Sequence, residues 1–536
     1  MLPSLPYMDK YRKGVQLQFG GLDHRRGAGE GTLWDMENLT AQEAPLISSR
    51  DPRHFVRTLE KPNGMWAADD LIWVDGTNLY VNGELRWSEL TDTPKIFASL
   101  GNYTCVLPDK IVVRKDLPLS IQYMEHSLTN DAIFTDGTLY GEPAEKNALF
   151  IPYEAQQVWY GFNIGDAVKI ETQVEIAGEL TWIEYKTAII RDISYNRQAL
   201  FFSENTFNAV TTTPQPVRVT RAVPDMDFMC VNENRLWGCK GDTIYASKLG
   251  DPTNWNVFDG ISTDSYAVDV GTEGSFTGCC SYLGYPIFFK ENHVYKIYGD
   301  KPSNFHVMQS ADLGVESGSG KSLAVAGEVL YYLSRAGVMA YAGGVPENIS
   351  AVFGLMNFQD AVAGSDGVRY AVSMTDGDGN RHLMIYDTRY GMWHREDDFD
   401  AIDFCWHQSG LWALDRDGGM WYLWGDDVPE GATEEENIES FAEFGDWAEG
   451  APQRKGSSHV ELRVELEAGS LLEVSVQYDS DGVWRPVGRM EATQKRSFYL
   501  PVIPRRCDHW RLRLEGVGKW RLYSLTRNFY IGSSFH

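Results

Sequence analysis

Long apolar runs are missing from this sequence. No stretch offers the ~18 consecutive apolar residues that a membrane-spanning helix needs. The opening MLPSLPYMDKYRKG has no apolar core of the kind a secretory leader carries. We therefore expect neither a membrane span nor secretion by a signal peptide. Cysteine is scarce and scattered: Cys105, Cys230, Cys239, Cys279, Cys280, Cys405 and Cys507 are odd in number and include no CxxC pair. Neither a zinc site nor a disulfide framework is expected, nor any other cofactor. A reducing compartment during synthesis fits better, with most thiols acting as small buried hydrophobes.

Helical periodicity and positive charge are also thin. With 536 residues the chain exceeds one ordinary core. Aromatics at 13% and 51 glycines, without long helical patterns, point to an all-β protein. The net charge of −27 disfavours open nucleic-acid binding. Residues 451–536 hold 14 Lys/Arg against 9 Asp/Glu, a net of +5, which leaves −32 for residues 1–450. A strongly acidic body thus precedes a mildly basic end. Such a body is well solvated, and it would repel DNA or pair with a basic partner.

What is present is a repeated hairpin. In ENRLWGCKGDTIYASKLGDPTNW, residues 233–255, two apolar runs flank Gly241-Asp242. The same logic recurs in DDLIWVDGTNLYVNGEL, LGYPIFFKENHVYKIYG, AGEVLYYLSRAGVMAYAGG and QSGLWALDRDGGMWYLWG. RYAVSMTDGDGNRHLMIYDTRYGMW has a longer turn, and NYTCVLPDKIVVRKD is a weaker copy. Asp, Asn and Gly tolerate the positive φ that tight hairpins need. A lone hairpin cannot bury its face. About seven of them predict radially stacked sheets, a β-propeller of six or seven blades, with a packed β-sandwich array as the alternative.

Other segments break this rhythm. Residues 150–222 carry several strand-like runs and predict a small five-stranded SH3/OB-like barrel inserted between blades; lacking a basic stripe, it suits a protein contact. Residues 426–449 contain ten acids and no Lys or Arg, which predicts a solvated linker over 426–450. Beyond it, alternation and the Asp481-Gly482 turn predict a C-terminal β-sandwich over 451–536. The expected order is an N-terminal extended arm with first strands (1–60), a first propeller segment (61–149), the barrel (150–222), a second propeller segment (223–425), the linker and the sandwich.

Chemical motifs dissolve on inspection. LGVESGSGKS, residues 313–322, has Val315 where a phosphate loop needs glycine, and no helix follows it. DGDGNRHLMIYD spaces Asp376, Asp378 and Asn380 like a calcium loop, but Arg381 replaces its glycine and Asp387 its closing glutamate. YDSDG at 478–482 also reads as a turn. His394 and His509 lie near acids without a third group for a triad. With so many acids, no glycosidase pair can be picked out. Trp421 and Trp424 suit core packing better than stacking on sugar.

A family resemblance rests on other residues. FGGLDHRRGAGEGTLWDMENLT and PLISSRDPR hold a Phe-x-Gly-Leu segment (Phe19 to Leu22), an Asp-x-x-Asn element (Asp35 to Asn38) and a Pro-x-x-x-x-Arg element (Pro45 to Arg50). The middle holds Asn234, Arg235, Leu236 and Trp237, then Ile244 to Ser247, then Asp251, Pro252 and Trp255. With GFNIGDAVKI and PRRCDHWRLRLEG, these segments resemble virion structural proteins of tailed bacteriophages and prophages, of the tail, nozzle or packaged-DNA stabilisation type. The resemblance implies a β-propeller, often assembled in rings. It implies a structural role in the virion tail, made in the host cytoplasm and built with other tail or portal-vertex proteins. A homo-oligomer is expected, a hexameric ring around a conduit through which DNA slides without specific binding. On this reading the chain is not an enzyme. The acidic linker and sandwich depart from the family pattern and favour an alternative: a tail-tip adhesin or glycan hydrolase acting on host-surface glycan.

Overall fold

A computed structural model describes residues 11–25, 29–115, 119–152, 158–176, 178–491, 495–503 and 505–532. The first ten residues of the expected N-terminal arm lie outside these ranges. Strand accounts for 56% of the structure. Among the described residues there are three short 3-10 turns and no α-helix. The chain forms two compact units, Trp73–Gly314 on one hand and Met1–Ile72 with Val315–His536 on the other.

Trp73–Gly314 is built largely of antiparallel meanders. One runs through Ile96–Leu100, Tyr103–Leu107, Ile111–Arg114 and Ser120–Tyr123. A second takes Phe228–Asn232, Arg235–Lys240, Thr243–Ala246 and Tyr266–Asp269. A third takes Gly278–Tyr282, Tyr285–Lys290, His293–Tyr298 and His306–Ser310. Local chemistry sets their turns. Glu233 and Asn234 both take positive φ (45° and 60°), as a two-residue hairpin with the favoured twist requires. Gly241, at φ 56°, turns Arg235–Lys240 into Thr243–Ala246, where the sequence predicts it. Successive sheets share cores. Leu100, Cys105, Met229, Leu236 and Trp255 pack together, as do Trp237, Cys239, Ile244, Phe288 and Tyr295. The first strands of the three sheets also lie against one another in chain order.

The insertion differs from the expected barrel. It begins at His126 rather than near 150, and it is a single seven-stranded sheet. Its order is Glu179–Ile189, Ala167–Ile176, Gln215–Arg221, His126–Leu139, Glu142–Phe150, Ala199–Phe201 and Asp192–Ile193. Its two end strands do not pair with each other among the described residues, so no closed five-stranded barrel forms. The missed strands, His126–Leu139 and Glu142–Phe150, are long and mostly polar on one face, which hid their alternation. Phe134, Leu149, Trp159, Phe162, Ile170, Leu200 and Val219 fill the core on the other face.

The second unit combines further meanders with a two-sheet sandwich. Meanders run over Ala324–Ala326 to Glu347–Asn348, over Phe358–Ser365 to Met392–Arg395, and over Ala401–His407 to Gly419–Gly425. The last is extended by His54–Thr58, which pairs with Gly419–Gly425. One more meander starts at Pro62–Ala67, and the division between the units falls inside its second strand, Leu71–Asp75.

The sandwich is larger than the expected 451–536. One sheet joins Lys455–Leu466, Arg496–Pro501 and Trp520–Ile531 to the N-terminal strands Tyr11–Gln16, Leu39–Thr40 and Ile47–Ser49. The other joins Leu471–Tyr478, Arg485–Met490 and Trp510–Val517 to Leu33–Glu37 and Glu439–Phe444. Leu33, Met36, Phe444, Leu462, Val474, Leu512, Trp520 and Leu525 share its core. Two expectations are corrected here. The arm of residues 1–60 is not a separate element, because its apolar residues complete the sandwich. The acidic run 426–450 is not a free linker, because Ser440, Ala442 and Phe444 alternate inward between the outward Glu439 and Glu443. Counting charges alone conceals that period of two.

Candidate functional site

The residues singled out in the sequence gather at two buried polar clamps, one in each unit. In Trp73–Gly314, the strand Arg235–Lys240 carries Arg235 into the interior. Its guanidinium donates to the carbonyls of Ser247 (2.8 Å), Ser262 (2.7 Å) and Asp264. Burial pulls its pKa down, although Asp264 opposes the shift. Ser247 Oγ accepts from the Leu236 amide at 3.0 Å. Asn234 supplies the turn, and its carbonyl accepts from the amide of Gly250. Trp237 is buried against Phe305, with ring centroids 5.2 Å apart.

The Asp-Pro-Thr-Asn-Trp turn follows. Asp251 Oδ1 accepts from the amide and hydroxyl of Thr253 (2.9 and 2.7 Å), and its Oδ2 accepts from Asn254 Nδ2 (2.6 Å). The Pro252 carbonyl accepts from Trp255 Nε1 at 2.7 Å, which holds the indole in the core beside Cys105 and Leu236. Asn254 then reaches the insertion. Its Nδ2 donates to Asp166 Oδ1 (3.1 Å) and its Oδ1 accepts from the Ala167 amide (3.2 Å). Asp166 Oδ2 pairs with Arg221 at 2.7 Å, with both side chains almost fully buried. Asp251, Pro252 and Trp255 were legible; Asn254, Asp166 and Arg221 were missed. Asn254 lay within the quoted stretch, but its partners stand 88 and 87 residues away.

The second clamp joins the N-terminal segment to the acidic run and to the strand Met392–Arg395. Asn38 takes φ 53°, which Asn tolerates better than most residues. Its Nδ2 donates to the Glu439 carbonyl (2.8 Å), and its Oδ1 accepts from Arg50 Nε (2.7 Å). Arg50 spans Glu435 with two parallel bonds of 2.7 and 2.9 Å. Arg53, absent from the sequence-derived set, grips Glu396 (2.7 Å) and Asp397 (2.8 and 3.0 Å). Burial alone would lower the pKa of Arg53, but Asp397 and Glu396 outweigh it and raise it. Burial likewise pushes Asp397 and Glu435 up, and the arginines overcome this and hold both below the usual carboxylate range. Asp35 lies at the rim, 3.2 Å from Arg395.

Beside this clamp His394 is buried, and its Nδ1 has no partner among the described residues. Burial depresses its pKa to about 4, against a smaller opposing effect of Asp387. It lines two cavities of about 10 Å³ each, one with Phe19, Leu33 and Ile47, the other with Arg369, Asp387 and Glu396. Each is near the size of one water, far below a typical ligand pocket. A similar cavity adjoins Arg235 and Trp237.

The remaining motifs serve turns and sheet contacts. Ser319 and Ser322 accept from the amides of Ala361 (3.1 Å) and Leu333 (3.0 Å), and Lys321 pairs with Asp403. Asp376 accepts from the amides of Asp378 and Asn380 (both 2.9 Å) and lies 2.8 Å from His382 Nε2, closing a hairpin. His509 Nε2 lies 2.9 Å from Ser480 Oγ. Trp421 donates to Asp415 (2.8 Å), and Arg369 covers the Trp424 ring at 3.8 Å. Six of the seven cysteines are buried.

No family model and no curated protein matches the chain. Solved structures with similar features include the computationally designed Ika8 protein, at 10% identity over 69% of this chain and 98% of that one, with a TM-score of 0.29. An exo-β-1,3-galactanase from Phanerochaete chrysosporium matches at 10% identity over 55% of this chain and 92% of its own, with a TM-score of 0.22. A Trypanosoma rangeli sialidase matches at 11% identity, covering 88% and 94%, with a TM-score of 0.16. The expectation that the chain is not an enzyme is withdrawn on this finding, because glycan-hydrolysing enzymes stand among the similar structures. At these TM-scores the likeness assigns neither a catalytic residue nor a substrate.

Proposed function

We propose that this chain is a structural component of a tailed-phage virion, working in the tail as a member of the assembly around the DNA path. One observation carries the reading. Three of the segments on which the virion resemblance rests, around Asn38 and Arg50, around Arg235, and around Asp251 to Trp255, close buried polar clamps that tie distant stretches of the chain together. Buried polar networks that tie distant stretches together favour one rigid arrangement, which suits a component that bears load between neighbours.

We further infer that the meanders are blades of a seven-bladed β-propeller. Their repeated four-strand order supports this, as do the shared cores between successive sheets and the pairing of His54–Thr58 with Gly419–Gly425. A ring of such chains would bring the body, at −32 over residues 1–450, close to DNA. Carboxylates there would repel phosphate and keep the polymer from sticking. The test is imaging of purified virions with a label at the C-terminus. Label at a fixed level of the tail is the expected result, and a virion fraction free of the chain overturns the proposal.

A further inference from the structure

Two of the protein's end strands have an edge that no described strand covers, and their chemistry is complementary. Among the described residues, Glu179–Ile189 is an end strand of the insertion sheet bonded only to Ala167–Ile176. Among them also, Tyr11–Gln16 is bonded only to Trp520–Ile531 at the border of the sandwich. An open edge presents a row of backbone donors and acceptors to any strand that reaches it.

The hairpin Ala167–Ile176 with Glu179–Ile189 is apolar and acidic at its outer end. Opposed residues on antiparallel strands share a face, so the pairing of Thr172 with Ile183 and of Val174 with Thr181 sets Val174, Ile176 and Ile183 on one side. All three are exposed, Ile176 by 51%, and Leu180 on the other face is 68% exposed. Residues 171–184 contain four glutamates and no Lys or Arg. Glu171 is held by Arg218 and Lys169, whereas Glu175 and Glu179 have no ion partner among the described residues.

The strand Tyr11–Gln16 has the opposite character. Tyr11 and Val15 share one face and are 63% and 56% exposed, with exposed Leu17 just beyond. Arg12 and Lys13 are exposed and have no carboxylate partner among the described residues.

We propose that copies of this chain associate head to tail, the edge strand Glu179–Ile189 of one copy pairing with the edge strand Tyr11–Gln16 of the next. The strands supply backbone hydrogen bonds. On one face Ile176 and Ile183 cover Tyr11, Val15 and Leu17 while Glu179 meets Lys13, and on the other face Glu175 meets Arg12. Because the two surfaces differ, a pair of copies keeps one of each free, which builds a ring or a filament rather than a closed dimer. The proposal deepens the ring reading given above and rests on it only in taking the occupant to be a second copy.

Sedimentation of the purified full chain over a range of concentrations tests it. The wild type is expected to assemble beyond a dimer. Ile176→Asp and Val15→Asp should each weaken assembly by roughly tenfold or more, the usual effect of losing a central apolar contact. An equimolar mixture of the two variants should give a dimer and nothing larger, since one intact hairpin then meets one intact edge. Glu175→Lys with Glu179→Lys should weaken assembly, and Arg12→Glu with Lys13→Glu in the same chain should restore it. That pair of changes keeps the test sound if an apolar-to-acid variant folds poorly. A monomeric wild type, unchanged assembly in Ile176→Asp, or a variant mixture that stays monomeric while the wild type assembles overturns the proposal. Detection of the chain in virions is independent of these outcomes, so failure of the interface and failure of the virion reading are distinguishable.

Discussion

Asn254 Nδ2 donates to Asp166 Oδ1 across 3.1 Å, and this bond fastens the insertion to the strand system that carries Arg235. The same nitrogen donates to Asp251, so one amide bridges two carboxylates. Replacement by alanine leaves both acids short of a donor. Asn254→Ala should cost about 1–3 kcal/mol in chemical denaturation. Asn254→Asp should cost more, because it sets a third carboxylate between two others.

Arg50 ties Asn38 to Glu435 in the second clamp. Removal would leave Asn38 Oδ1 without its donor and the Glu435 carboxylate with only the Arg53 amide, 3.2 Å away, in a mostly buried site. Arg50→Ala should destabilise by about 3–5 kcal/mol. Arg50→Lys should recover only a fraction of this loss, since a single ammonium cannot span Glu435 with two parallel bonds. Denaturant midpoints of the two variants check the order.

Trp255 tests whether the Asp-Pro-Thr-Asn-Trp turn acts through packing. Its ring is buried among Cys105, Met124, Val223 and Leu236. Trp255→Ala should cost about 3–5 kcal/mol, and Trp255→Phe less, because it keeps most of the volume and loses only the bond to Pro252. Thermal unfolding followed by tryptophan fluorescence separates the two.

His394 makes stability depend on pH. Its pKa falls from 6.5 to about 4 in the folded protein. The unfolded chain therefore binds a proton that the folded chain refuses, and stability declines as pH falls from 6.5 toward 4, by roughly 3 kcal/mol in full. His394→Phe should lessen the slope of melting temperature across that window, with His407 and His459, which burial also holds below their ordinary value, keeping the remainder. Asp397 and Glu435, both depressed, act in the same direction at lower pH. Their contribution is complete above their ordinary values of 3.8 and 4.5 and is lost as pH falls through their lowered ones. A second decline in acid should thus persist in His394→Phe and shrink in Arg50→Ala.

Local signals in the sequence survived because they depend on neighbours in the chain. The turn at Gly241-Asp242 follows from a residue tolerant of positive φ between two apolar runs, and Asn234 marks another such turn. Trp237 and Trp255 were marked through the family resemblance, and the structure buries both. The acidic run conceals its strand because a charge count carries no period: Ser440, Ala442 and Phe444 face the sandwich core while Glu439, Phe441 and Glu443 face outward. The insertion misled in another way, since its first two strands lie before residue 150 and present many polar residues.

By itself, the sequence determined the strand content and the position of the tight turns, and it marked Asn38, Arg50, Arg235 and Asp251 as residues of interest. The strands and turns follow from periods of two and from φ preferences, which act over a few residues, whereas the four residues were marked by the family resemblance. Which polar groups meet was decided only by tertiary structure. Arg50 finds Glu435 across 385 positions, Arg53 finds Glu396 across 343, and the N-terminal strands join a sandwich whose remaining strands lie beyond residue 438. A buried charge needs a partner, and nothing in the local chain says which distant carboxylate will stand beside it once the sheets have packed.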